Sequence, residues 1–459
     1  MAKKILLISY HFPPSAEVGG LRIANFARML PRFGWDPYVL TVKDRYLQAV
    51  DPDKLNCVGQ AKIFKAGQTP TLSQAYLACK KAVWPLTRKL AAPAGIASRN
   101  RANPVGPGRG TEALSRRLRR YVLSFLTLPD GQRSWLFPAV IEAVHIIRRE
   151  KIGCILTSCP PYSAHLVGLL VKWITGVRWI ADFRDPWMTT GSKSLYSTCS
   201  ASLGIERWME RTVVRSADRV VANTEMLCEG FKRAYASIPT ERFICITNGF
   251  DREFFSSFAH LQKEKIFTIT YTGTLYFGRT PEPIFQAVHE LARQGSVEQR
   301  RIRVRLVGQC RSVQGRPIDE MIERYRLGDV VEVLEPVSYN QAIKMIKQSH
   351  LALLLAPNQP YQIPAKVYDY MGVGTRVLAL AKEGATANLV RNAGIGAVFD
   401  PSDIAGIKGF IGQSLEECGT SGCWLKPEAV NQFDLYAISR RLADELDRLC
   451  VMAPAPEAA

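Results

Sequence analysis

The sequence predicts an α/β protein of two domains, each built on a parallel sheet, and three observations lead to this. The chain has 459 residues, more than one ordinary core accommodates. Short apolar runs alternate with amphipathic helical patterns, the order that produces parallel sheets. After the polar stretch HLQKEKIF the alternation starts again at Thr268, as a second domain would. We place the boundary near Phe258, giving domains at 1–258 and 259–430, a closing helix at 431–451 and an unordered tail at 452–459.

Composition narrows the class. Hydrophobic residues at 47% and charged residues at 22% exclude a disordered chain. Sixty Lys and Arg against 41 acids leave a formal charge of +19, which favours anionic partners: nucleotides, lipid phosphates, an anionic membrane or nucleic acid. Nucleic acid is not expected, because neither a stacking aromatic sheet nor a GxxG loop accompanies the basic residues. The 11 cysteines form no CxxC pair and lack ligands at zinc spacing, so reduced thiols, a cytoplasmic location and no metal site are expected. MAKKILLISY reads as a buried strand, and no run of apolar residues is long enough to span a membrane.

The elements follow in order. Lys4 to Tyr10 is a strand leading into HFPPSAEVGGLRIANFARML, a loop and a helix with Ile23, Phe26, Ala27 and Leu30 inward. Gly19 and Gly20 permit close backbone approach before helix amides that can receive an anion; a tight structural connection needs the same residues. The loop is not GxGxxG, which argues against a dehydrogenase. Strands around Val39 and Ile63 come next. Residues 80–120 then break the pattern with eleven Lys and Arg against one acid, Glu112. This insertion has amphipathic flanks around Trp84 and Leu118, and reads either as a membrane-facing segment or as a basic loop.

Strand CILT and strand VRWIADF flank a helix in which His165 lies just past a strand end, where α/β sheets present ligand groups; an apolar helix also buries such a histidine as core. Asp182, Arg184 and Asp185 cluster at the carboxyl end of the following strand, as a functional site or as a structural network. A helix cap is expected at Asn223 or Thr224. In the second half, Gly273 and Gly278 loosen a loop ahead of Arg279 and Pro281, where a diphosphate can meet a guanidinium and helix amides; a solvent loop is the plainer alternative. Gly308 ends a later strand.

The stretch IPAKVYDYMGVGTRVLAL, residues 363–380, organises this half. A helix is expected to begin at Pro364, to bury Val367, Tyr370 and Met371, and to close through Gly372 and Gly374. Lys366 and Asp369 are i, i+3 neighbours on another face. A carboxylate offers lone pairs to both hydroxyls of a ribose and an ammonium suits a phosphate, so the two can grip a nucleotide. An ordinary surface ion pair has the same spacing.

The string P-x-K-x-x-D-Y-M-x-x-G-x-x-V at 364–377 resembles the nucleotide-binding helix of retaining glycosyltransferases of the large family-four type, which have the GT-B fold of two Rossmann-like domains facing a cleft. TSCPPYSAH and ADFRDPW resemble the N-terminal domain of that family. Asp369 takes the place of its ribose-binding Glu, whereas Tyr361 stands eight residues earlier, where an acid is usual. The resemblance implies transfer of a sugar from a nucleotide sugar, without metal or other cofactor, to a sugar or lipid-linked acceptor in cell-surface polysaccharide or glycolipid synthesis, at the inner face of the plasma membrane. It implies catalytic roles for His165 and Asp182, donor binding by Arg279, Lys366, Asp369, Gly273 and Gly308, and acceptor-side roles for Gly19, Gly20 and Arg184. A sugar-nucleotide epimerase, and a non-catalytic membrane or nucleic-acid binding protein on the same scaffold, are the alternatives.

Overall fold

The computed structural model describes residues 3–17, 19–70, 128–188, 200–276, 278–293, 301–418 and 427–451. The basic insertion at 80–120 and the tail at 452–459 lie outside the described residues.

The first sheet is built from elements that alternate except between its second and third strands: β1 (Lys3–Ile8), α1 (Gly20–Met29), β2 (Trp35–Val42), β3 (Lys62–Ala66), α2 (Leu136–Glu150), β4 (Cys154–Cys159), α3 (Ser163–Thr175), β5 (Arg178–Phe183), α4 (Ser200–Ser216), β6 (Arg219–Ala222), α5 (Glu225–Ala234) and β7 (Phe243–Cys245). The strand order is β3-β2-β1-β4-β5-β6-β7, and β1 pairs in parallel with β2 and β4. Ile5, Leu6, Leu7 and Ile8 are all fully buried, as a central parallel strand covered on both faces requires. Thr224 is the cap expected before α5, accepting from Leu227 N at 3.1 Å.

The second sheet belongs to α6 (Arg252–Ser256), β8 (Phe267–Thr272), α7 (Glu282–Arg293), β9 (Ile302–Val307), the hairpin β10 (Ser312–Val313) and β11 (Arg316–Pro317), α8 (Ile318–Arg324), β12 (Val331–Leu334), α9 (Tyr339–Gln348), β13 (Leu351–Ala356), α10 (Lys366–Val373), β14 (Arg376–Ala381), α11 (Ala385–Asn392), β15 (Gly396–Phe399), α12 (Ile404–Glu416), α13 (Pro427–Asn431) and α14 (Leu435–Val451). Its order is β12-β9-β8-β13-β14-β15 with every pairing parallel. Two apolar layers cover it, one centred on Ile269, Phe285 and Leu306, the other on Leu354, Val367 and Tyr370. By contacts the chain forms two compact units, Met1–Phe183 with Trp187–Val220, and Arg184–Pro186 with Val221–Ala459.

Helix α10 departs from expectation at both ends. It begins at Lys366 with Ala365 as its cap, and Pro364 precedes it, its carbonyl accepting from Val367 N at 3.1 Å. Gly374, at φ +68°, is the left-handed cap, whereas Gly372 lies inside the helix, where a Cβ would come within 2.3 Å of the Phe255 ring. Gly372 therefore serves packing against α6. No helix among the described residues is long and apolar enough to cross a membrane.

Candidate functional site

In the second unit, the carboxyl ends of β8 and β9 close on two glycines. Gly273 has φ +131° and Gly308 φ +121°, and a Cβ on Gly308 would sit 2.3 Å from the Gly273 carbonyl oxygen. Only glycine fits both the conformation and the contact. Above this floor lies Lys366, whose Nζ would be 2.7 Å from a Cβ at Gly273. Because Lys366 is the first residue of α10, its side chain reaches back over the strand end. There it donates to the Thr272 carbonyl at 2.5 Å and stands 4.2 Å from the Tyr271 ring centroid.

Asp369, one turn on, points elsewhere: its Oδ1 accepts from the Tyr339 hydroxyl at 2.7 Å. Tyr339 is placed by a capping box at the start of α9, where Ser338 and Gln341 bond reciprocally. Burial, with the neighbouring Arg279 charge, lowers the Lys366 pKa to about 7. Burial raises that of Asp369 to about 7, against the opposing effects of the Tyr339 hydrogen bond and the Lys366 charge. Both side chains are nevertheless only half-buried. Each feels the other's charge, while their hydrogen bonds go to Thr272 and Tyr339 respectively.

Arg279 completes the set. It is 8% exposed, its guanidinium lies 4.3 Å from the Tyr276 ring centroid, and Nη2 donates to Gln359 Oε1 at 3.2 Å. Gln359 belongs to the loop between β13 and α10, which is anchored where Thr224 Oγ1 donates to the Tyr361 carbonyl at 2.8 Å and Gln362 Nε2 to Asp185 Oδ1 at 2.6 Å. Two cations, Arg279 and Lys366, thus stand within each other's field beside a glycine floor. The arrangement is chemically suited to a diphosphate, and Asp369 to the hydroxyls of an attached sugar.

In the first unit, Asp182 at the end of β5 is fully buried and holds a bidentate ion pair. Arg22 donates from Nε to Oδ2 at 3.0 Å and from Nη2 to Oδ1 at 2.9 Å, and Ser158 Oγ donates to Oδ2 at 2.7 Å. Arg22 comes from α1, two residues after Gly20, where an added Cβ would lie 3.0 Å from the Phe12 Cα. Gly19 is the cap of α1 and makes no side-chain bond. The loop and helix are thereby tied to β5.

His165 is also fully buried, with Nδ1 2.8 Å from Thr157 Oγ1 and its ring 4.3 Å from that of Phe183. Thr157 Oγ1 accepts from Trp179 Nε1 at 2.8 Å, so its hydroxyl proton is available to His165 Nδ1 and the ring's own proton to Nε2. Close contact makes this possible: a Cβ at Gly168 would be 2.6 Å from both Thr157 and Trp179. The start of α3 is fixed by Asp130, which accepts from Ser163 N at 2.8 Å. Arg184 is buried in the short piece that clusters with the second unit, its carbonyl accepting from Asn223 Nδ2 at 3.4 Å.

Residues 19–249 match the family described as glycosyl transferase 4-like domain. The chain belongs to this family. Residues 253–418 of the glycosyltransferase match a second description, glycosyl transferases group 1. Solved structures similar to it include HepE of Anabaena in complex with UDP, at 16% identity and TM-score 0.61 over 97% of this chain and 100% of that one. A glycosyltransferase from Rickettsia africae is similar at 13% identity and TM-score 0.61, over 98% and 99% of the two chains. Sucrose-phosphate synthase from Thermosynechococcus elongatus is similar at 14% identity and TM-score 0.60, over 98% and 100%. At these identities the likeness shows the fold, which is GT-B with parallel sheets of seven and six strands. A comparison with curated proteins finds no match. Membership of this enzyme family sets aside the epimerase and the non-catalytic scaffold.

Sequence reasoning missed Arg22, Ser158, Thr157 and Tyr339, each a partner of a residue it did single out. Only Arg22 carried a signal, as a lone charge on the inward side of an amphipathic helix.

Proposed function

We propose that this glycosyltransferase moves a sugar from a nucleotide sugar to a sugar or lipid-linked acceptor, with retention at the anomeric carbon. The observation that carries the reading is the pair of cations, Arg279 and Lys366, held in mutual repulsion over the Gly273 and Gly308 floor with Asp369 one turn away. An incoming diphosphate relieves that repulsion and restores the Lys366 charge. Asp369 receives the ribose hydroxyls. HepE was crystallised with UDP and with UDP-glucose, which makes a uridine diphosphate sugar the first donor to test.

In the transfer, the bond from the anomeric carbon to the diphosphate breaks while a bond to the acceptor oxygen forms on the same face. The acceptor proton passes to the departing phosphate oxygen. Arg279 and Lys366 balance the charge that develops on the diphosphate, so stabilisation grows as the bond breaks, and no metal is called for in this account. His165, whose Nδ1 faces the Thr157 hydroxyl, supplies a hydrogen bond from Nε2 on the sugar side. Asp182 acts through Arg22, keeping the α1 loop in place, and is a positioning residue. The basic stretch 80–120 attaches the enzyme to an anionic membrane where a lipid-linked acceptor in polysaccharide or glycolipid synthesis is presented.

A thermal-shift screen of nucleotide sugars tests the reading, since a ligand that binds only the folded state raises Tm by mass action. One donor is expected to raise it well above its free nucleoside. A flat response across all of them contradicts the assignment.

A further inference from the structure

Three helices of the first unit lie side by side, α2 against α3 and α3 against α4. Their inner faces are closed by buried residues such as Ala143, Val167 and Val213. Their outer faces are not the polar surface that an amphipathic helix on a soluble domain presents. Phe137 and Ile141, one turn apart on α2, are 63% and 71% exposed; Trp173 and Ile174 on the last turn of α3 are 61% and 52% exposed; Trp208 on α4 is 62% exposed. Five of the eleven exposed large hydrophobic side chains among the described residues are therefore gathered on this one layer, which makes it a patch and not scatter.

The exposed charge on the same layer is predominantly positive. Every exposed charged side chain on the three helices is an arginine: Arg148 and Arg149 on α2, and Arg207, Arg211 and Arg215 on α4. The acids are less exposed: Glu206 and Glu210 are buried, Glu142 beside Ile141 is half-buried, and Glu150 accepts from Tyr38 at 2.9 Å and Arg149 at 3.0 Å. Arg207, Arg211 and Arg215 follow one another at a spacing of four, a basic stripe directly beside Trp208.

We propose that this face docks on an anionic lipid bilayer. Charge excludes the other occupants. A second copy would set arginines against arginines across a self-complementary interface. The chain's own segment at 80–120, with eleven bases and one acid, would be repelled in the same way. Nucleic acid meets the charge but not the protruding Phe137, Ile141 and Ile174. An anionic bilayer meets both: arginines lie among the phosphates, tryptophans in the headgroup region, and aliphatic side chains at the acyl boundary. The proposal is independent of the donor-site reading and places a second membrane contact on the folded helices, apart from the basic insertion.

Vesicle flotation of the full chain, with phosphatidylcholine alone and with added phosphatidylglycerol, tests it. The enzyme is expected to float with the anionic vesicles only. Phe137→Ser/Ile141→Ser and Trp208→Ser should each lower partitioning about tenfold or more, and Arg211→Gln/Arg215→Gln should do so most at low salt. Tm and nucleotide-sugar binding should be unchanged in all of them, which separates this outcome from failure of the donor site. Three results overturn the proposal: no flotation of the unaltered chain, flotation untouched by these substitutions but lost in Arg116→Gln/Arg117→Gln/Arg119→Gln/Arg120→Gln, or sedimentation showing that Trp208→Ser converts a dimer to a monomer.

Discussion

Tyr339 and Asp369, from neighbouring helices, are joined by a hydrogen bond of 2.7 Å in which the phenol donates to the carboxylate that we assign to the ribose. Tyr339→Phe removes the donor that holds the Asp369 pKa down, so the carboxyl should titrate higher than about 7. Donor affinity of the variant should fall off at a higher pH on the acid side than that of the unaltered enzyme. An identical acid limb would detach Tyr339 from the site.

Asp369→Asn should weaken nucleotide-sugar binding by about 1.5–3 kcal/mol, since an amide has one acceptor oxygen in place of two. The same change should stabilise the ligand-free protein. The folded-state pKa of Asp369 is raised from 3.8 to about 7, so the folded state binds the proton more tightly, and stability declines as pH rises from 3.8 to 7. At pH 8, removing the charge should restore about 1–3 kcal/mol. Lower stability at pH 8 would contradict the burial argument.

Proton linkage follows from the pair. Ligand-free Lys366 and Asp369 both titrate at about 7. A bound diphosphate favours charged Lys366 and bound hydroxyls favour charged Asp369. At pH 8 the free lysine is mostly neutral and the acid already ionised, so binding should take up protons. At pH 6 the lysine is already charged and the acid mostly neutral, so binding should release them. Calorimetry in buffers of differing ionisation enthalpy reads the sign, and the same sign at both pH values would refute the pairing.

Arg22→Ala leaves the Asp182 carboxylate buried and unpaired, and should cost about 3–5 kcal/mol of stability. Arg22→Ala/Asp182→Asn should recover part of it, because the orphaned charge is gone. If Asp182→Asn alone instead abolishes turnover without moving Tm or donor affinity, Asp182 is a reacting group and not a positioning one.

His165→Ala should lower turnover more than donor affinity, as a group acting on the sugar side would. Weakened donor binding with intact single-turnover chemistry would reverse that assignment.

What the sequence showed plainly was whatever depends on neighbours in the chain. The ILLI of β1 and the LALLLA of β13 are apolar throughout and form central strands; Val367, Tyr370 and Met371 have helical spacing and are buried. Thr224 capped its helix as its residue type suggests. Long-range pairings left no such trace. Arg22 meets Asp182 across 160 residues, and Tyr339 reaches Asp369 only because α9 and α10 pack together. Gly372 looked like a helix stop because its packing partner, Phe255, is remote in sequence. The Lys366 and Asp369 spacing suits a surface ion pair as well as a ligand grip, and only the fold, which sends the ammonium to Thr272 and the carboxylate to Tyr339, separates the two.

Calorimetric titration of nucleotide sugars into the unaltered enzyme and into Lys366→Ala addresses the central claim directly. The account predicts that one uridine or other nucleotide sugar binds with one-to-one stoichiometry. It predicts that Lys366→Ala weakens it by about tenfold or more while affecting the free nucleoside little. Failure of every nucleotide sugar to bind, or equal binding by the two proteins, would contradict it.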